Sequence, residues 1–84
     1  MPKASQIRAA RALLNWTQGD LSARSGVARR TITYVETGRR QGDPSIVENM
    51  RKALVGAGIE FLDDDEGIGV RLRRDTEIPP LLAS

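Results

Sequence analysis

Arg29, Arg30, Thr33 and Tyr34 fall on the outward faces of one short helical stretch, RRTITYVE, whose Ile32 and Val35 fall on the other side with Ala28. A guanidinium at the first turn of such a helix can place two hydrogen bonds on O6 and N7 of a guanine. Thr33 and Tyr34 lie toward the same side, where they reach a thymine methyl or a phosphate. The plain alternative for the arginines is a solvated surface charge, and for Thr33, Tyr34 and Thr37 simple helix filler. Catalytic inventory is poor: there is no histidine or cysteine, no glycine-rich phosphate loop and no carboxylate pair set for acid and base work. The expectation is a binding protein without enzymatic activity or cofactor. The acidic run Asp63, Asp64, Asp65, Glu66 lacks the alternating ligand spacing of a calcium loop and reads as a solvated turn, so no metal site is expected.

The elements that must hold those side chains are announced locally. Thr17 with Asp20 forms a capping box, and Trp16 before it can staple against Leu21. Gly26 supplies the turn, Val27 follows as an anchor, and Gly38 stops the second helix. Two short amphipathic helices about one glycine are the layout of a helix-turn-helix, whose second helix enters the major groove of DNA. Upstream, Ser5 can cap a first helix running to about Asn15, with Ile7, Ala10 and Leu14 inward. Downstream, after the loop RRQGDP, Ser45 with Glu48 suggests another capping box. Ile46, Val47, Met50, Ala53, Leu54 and Ala57 then recur at helical spacing until Gly58 ends the helix. Beyond Gly58 the period becomes alternating. Ile59 and Phe61, then Ile68, Val70 and Leu72, predict a β-hairpin with one apolar face, and DTEIPPLLAS reads as extended or disordered. The expected organisation is a four-helix DNA-binding domain over residues 1–58, a hairpin over 59–74 as a dimerisation element, and a flexible tail over 75–84.

From about Ser5 to Ala57 the chain resembles the Cro/cI-type, or lambda-repressor-like, helix-turn-helix family, also called XRE. Leu21, Gly26, Ile32, Val35, Glu36 and Gly38 sit at the spacings that family uses for its core and turns. The resemblance implies a mainly α fold of four helices, extended here by the C-terminal β-hairpin. It also implies that Gln18, otherwise an ordinary first-turn residue, bridges a phosphate and supports a recognition-helix side chain. Arg11 and Glu36 look like the family's structural ion pair between first and third helices, which takes them off the list of DNA contacts. Three positions depart from the pattern: Ser22 where alanine is usual, Ala28 where a serine or threonine caps the helix, and Asn15 where a small residue or glycine is common. The weaker cap at Ala28 costs about 1 kcal/mol. Arg39 and Arg40, on the loop that leaves the groove, are assigned with Thr37 to phosphates.

Charge is unevenly distributed. Residues 1–58 carry ten Lys/Arg against four acids, a net +6, and residues from Ile59 onward carry three arginines against seven acids, a net −4. A basic head attracts phosphates and an acidic end is kept away from them. With 84 residues the chain holds one domain and a modest core, and a second copy would add stability. The N-terminus lacks the apolar run of a signal peptide and nothing is long enough to span a membrane, so a cytoplasmic location is expected. The resulting expectation is a sequence-specific transcriptional regulator, acting as a repressor because so short a chain can do little more than occlude a promoter. It would bind double-stranded DNA as a homodimer on a near-palindromic operator. The alternative is an antitoxin-like protein whose C-terminal segment binds a partner protein.

Overall fold

Apolar residues at helical spacing, punctuated by caps and turn glycines, fold into four helices before the alternating segment forms its hairpin. A computed structural model describes residues 1–39 and 43–74. Its elements are α1 (Ala4–Leu14), α2 (Gln18–Ser25), α3 (Arg29–Glu36), α4 (Pro44–Gly56), β1 (Ile59–Asp64) and β2 (Gly67–Leu72). Arg40 and the 75–84 tail lie outside the described residues. One core joins all the elements, its buried members being Ile7 and Ala10 of α1, Leu21 of α2, Val27 of the turn, Ile32 and Val35 of α3, Val47, Met50 and Leu54 of α4, and Ile59 of β1, with β2 packing Val70 and Leu72 against them. Trp16 packs against that core half-buried, while Arg24 lies over its ring, 5.1 Å from the centroid.

The starts of the helices show which local signals win. At α2 both halves of the capping box form: Asp20 N–H donates to Thr17 Oγ1 at 3.0 Å, and Thr17 N–H donates to Asp20 Oδ2 at 2.9 Å. At α1 the cap is Lys3 and not Ser5. The Lys3 carbonyl accepts from Gln6 and Ile7 N–H, and the Lys3 N–H donates to Gln6 Oε1 at 2.8 Å, so the first turn closes two residues before Ser5 could begin one. At α4 the cap is Asp43 and not Ser45. Pro44 has its φ preset for the first helical position, where no N–H is required. That places Asp43 Oδ1 to accept from Ser45 N–H at 2.9 Å and from Ser45 Oγ at 2.8 Å, and Glu48 is drawn to Arg51 instead. Ala28 likewise departs from the buried face assigned to it: it is the exposed N-cap of α3, with no side-chain bond.

The ends follow from left-handed backbone. Asn15 closes α1 at φ 60 and ψ 32, and Gly26 closes α2 at φ 76, a conformation that glycine adopts without steric cost. α4 ends at Gly56, slightly before Gly58.

The hairpin pairs Ile59 with Leu72, Phe61 with Val70, Asp63 with Ile68, and Asp64 with Gly67 across a two-residue turn. Ile59, Phe61, Val70 and Leu72 pack on the chain's own core, so the apolar face expected to meet a second copy is already covered. Ile68 does not join them. It sits opposite Asp63, next to the pair that closes the turn, and is 45% exposed. At the tip, Asp64 Oδ1 accepts from Glu66 and Gly67 N–H at 2.9 and 3.2 Å, a turn closed by its own carboxylate.

Candidate nucleic-acid interface

α3 is amphipathic enough to fix its own orientation. Ile32 is wholly buried and Val35 and Glu36 nearly so, which turns Arg29, Arg30 and Thr33 to solvent on the opposite side. Tyr34 is half-buried beside them, Thr37 and Arg39 are exposed just beyond the helix, and Gln18 is half-buried at the start of α2. The first turns of α2 and α3 meet: a Cβ placed on Gly19 would lie 4.0 Å from Arg29 Cδ, so the arginine stem crosses the entry to α2. Of the sequence-derived contact residues, only Arg40 lies outside the described residues.

The end of α3 is pinned from behind by two arginines of α1. Arg11 Nε donates to Glu36 Oε2 at 2.7 Å and Arg11 Nη2 to Glu36 Oε1 at 2.9 Å, a two-bond fork on a carboxylate only 2% exposed. Its remaining Nη1 donates to the Trp16 carbonyl at 2.9 Å. The bond to Glu36 raises the Arg11 pKa above its ordinary value, against the lowering effect of burial. Arg8, one helical turn before Arg11, donates through Nη1 to the main-chain carbonyl of Glu36. Sequence reasoning passed over Arg8, although its spacing from Arg11 places both on one face of α1.

The same carboxylate reaches forward to the exposed face. Gln18 Nε2 donates to Glu36 Oε1 at 3.1 Å, and Gln18 Oε1 accepts from Thr33 Oγ1 at 3.1 Å. Since a carboxylate only accepts, the amide must turn its nitrogen toward Glu36 and its oxygen toward Thr33. A chain of polar groups therefore runs from Arg11 through Glu36 and Gln18 to Thr33, on the side of α3 that carries Arg29 and Arg30. The arrangement presents guanidiniums and a threonine from a rigid helix, with its buried carboxylate neutralised by Arg11.

Among the described residues no group of three or more His, Cys, Asp or Glu side chains could hold a metal ion. No helix there is long and apolar enough to cross a membrane. Residues 7–54, more than half of the chain, match the family model described as helix-turn-helix. A search of the curated proteins found no match.

Proposed function

Because the chain belongs to the Cro/cI-type (XRE) helix-turn-helix family of DNA-binding regulators, we propose that it is a sequence-specific repressor that occludes promoters as a two-fold symmetric dimer. The observation that carries this reading is α3 itself: one side is locked into the core through Ile32, Val35 and Glu36, and the other offers Arg29, Arg30 and Thr33 to solvent. Arg29 and Arg30 read base edges, joined by Thr33 and Tyr34, and Gln18, Thr37 and Arg39 meet the flanking phosphates together with Arg40. Arg11 and Glu36 take no part in contact and set the angle at which α3 is presented.

Residues 1–58 form the DNA-binding part and 59–74 the dimerisation element. With its apolar face packed inward, the hairpin can offer a second copy its strand edges: among the described residues the sheet has only two strands, so neither outer edge has a third strand beside it. Leu62 and Ile68, 37% and 45% exposed, accompany those edges. Dimerisation sets two recognition helices about 34 to 36 Å apart, one turn of DNA.

Footprinting the full chain on the DNA upstream of its own gene tests the reading. Protection of a near-palindromic site with half-sites about one helical turn apart is expected. Equal affinity for all sequences overturns it. Light scattering on the full chain tests the dimer separately, and a monomer at tens of micromolar would leave association to the DNA alone. Removal of the hairpin is no substitute, because it would strip Ile59, Phe61, Val70 and Leu72 from the core.

A further inference from the structure

The hydroxyl of Thr33 is exposed on the recognition helix, yet its hydrogen is already spent. Oγ1 lies 3.1 Å from the Arg29 carbonyl, one turn back along α3, and 3.1 Å from Gln18 Oε1. Both neighbours are acceptors, so whichever one takes the hydrogen, none is left for another acceptor. Nor can the partner swing away freely. Gln18 is held with its nitrogen on Glu36 Oε1, and Glu36 is 2% exposed and forked by Arg11. Oγ1 and the methyl branch from the same Cβ. Turning the oxygen back onto Arg29 and Gln18 leaves the methyl as the part of the side chain that faces outward.

We infer that Thr33 reads a thymine through methyl-to-methyl contact in the major groove, and not through its hydroxyl. The inference rests on the proposal that α3 enters the groove. A phosphate oxygen, guanine O6 and N7, and thymine O4 all accept, and each would need the hydrogen that Arg29 and Gln18 hold. Only cytosine N4 and adenine N6 donate, and they would have to approach an oxygen already flanked by two others at 3.1 Å. The thymine C5 methyl makes no such demand, and contact with it is a recognised use of a threonine methyl.

The test begins with double-stranded DNA enriched by the full chain from a random-sequence pool. In the preferred duplex, each thymine is replaced singly by deoxyuridine, which removes the C5 methyl and leaves every hydrogen-bonding group. At one thymine in a half-site the replacement should weaken binding about three- to five-fold, the effect of one buried methyl. Thr33→Ser, which keeps the hydroxyl and loses the methyl, should bind the thymine and deoxyuridine duplexes equally. Thr33→Val, which keeps the methyl and loses the hydroxyl, should retain the difference. Circular dichroism confirms that both variants are folded. A Thr33→Val variant blind to the methyl, a Thr33→Ser variant that still senses it, or a preferred duplex in which no replacement matters overturns the inference while leaving the DNA-binding reading intact. Failure to enrich any sequence overturns that reading, and the role of Thr33 with it.

Discussion

Arg11 and Glu36 meet through two parallel hydrogen bonds, 2.7 and 2.9 Å long, between helices that are 25 residues apart in the chain at this pair. Removing one partner leaves the other charge half-buried without compensation, the costly way to break such a pair. Glu36→Ala should therefore lower stability by about 3 kcal/mol or more, and it also strips Gln18 of its Glu36 contact. Asp65→Ala, at the exposed hairpin tip, should change it by less than about 0.5 kcal/mol. Thermal unfolding of both variants measures the contrast. Equal shifts would remove the pair from the framework that holds α3.

Arg30 is exposed at the first turn of α3, where a guanidinium can fork onto one guanine. Arg30→Ala should weaken binding to the preferred duplex by about 1 to 3 kcal/mol and relax the choice of base at one position in each half-site. Binding to a panel of duplexes changed one base pair at a time reads both effects. Unaltered base preference would take Arg30 out of the reading set.

Arg39, exposed beyond the end of α3, should behave differently, because phosphates carry charge and no sequence. Arg39→Ala is expected to weaken preferred and unrelated duplexes alike, and to reduce the slope of log K against log salt by about 0.9. Titrations at four or five salt concentrations give the slope. A loss restricted to the preferred duplex would make Arg39 a base reader.

What was legible in the sequence was local. Thr17 with Asp20, and Gly26 at the turn, act within a few residues of themselves, so α2, its turn and the start of α3 could be placed by inspection. Ser45 with Glu48 was an equally good local signal and lost, because Pro44 makes its own position the first of the helix and gives the cap to Asp43. Period two predicted the hairpin face correctly, but it contains nothing about how far along the strands that face is covered. Ile68 consequently follows the pattern and still lies in solvent. The link from Gln18 to Thr33 joins residues 15 apart. The family resemblance suggested that Gln18 supports a recognition-helix side chain, but only the packing of α2 on α3 shows which one.

Asp43 makes acid stability depend on the start of α4. Its bonds from Ser45, first the backbone N–H and then the hydroxyl, hold the carboxyl below its ordinary pKa. A depressed folded-state pKa means that its contribution is complete above the unfolded value near 3.9 and is lost as pH falls through the lower folded value. Asp43→Asn retains an oxygen acceptor and has nothing to titrate. The stability gap between wild type and Asp43→Asn should thus be constant from pH 7 to about 5 and shrink below about 4. Glu48, whose carboxyl is also held low, mainly by its hydrogen bond from Arg51, is common to both proteins and cancels. Chemical unfolding across this range measures the gap, and one that widened with acid would contradict the assignment.

Gln6 ties the hairpin to the helical part through an amide that is only 4% exposed. Its Nε2 donates to the carbonyls of Leu62 at 3.0 Å and Gly69 at 2.9 Å, the two residues paired directly across the strands, while Oε1 accepts from Lys3 N–H. Every hydrogen on the amide is used. Gln6→Leu removes these bonds and should cost about 2 kcal/mol. Gln6→Glu is nearly the same size but sets a carboxylate oxygen against two carbonyl oxygens, and should cost more at pH 7. Burial beside those carbonyls favours the protonated acid, which can donate one of the lost bonds, so the pKa of the introduced carboxyl should rise in the folded state. A raised folded-state pKa binds extra protons in the native protein, and stability lost at pH 7 should return as pH falls toward the unfolded value near 4.3. Unfolding of wild type, Gln6→Leu and Gln6→Glu at pH 7 and pH 4.5, with amide exchange in β1 and β2 as a local probe, separates the cases. Gln6→Leu and Gln6→Glu variants both as stable as wild type at the two pH values would show that the amide does not hold the hairpin in place.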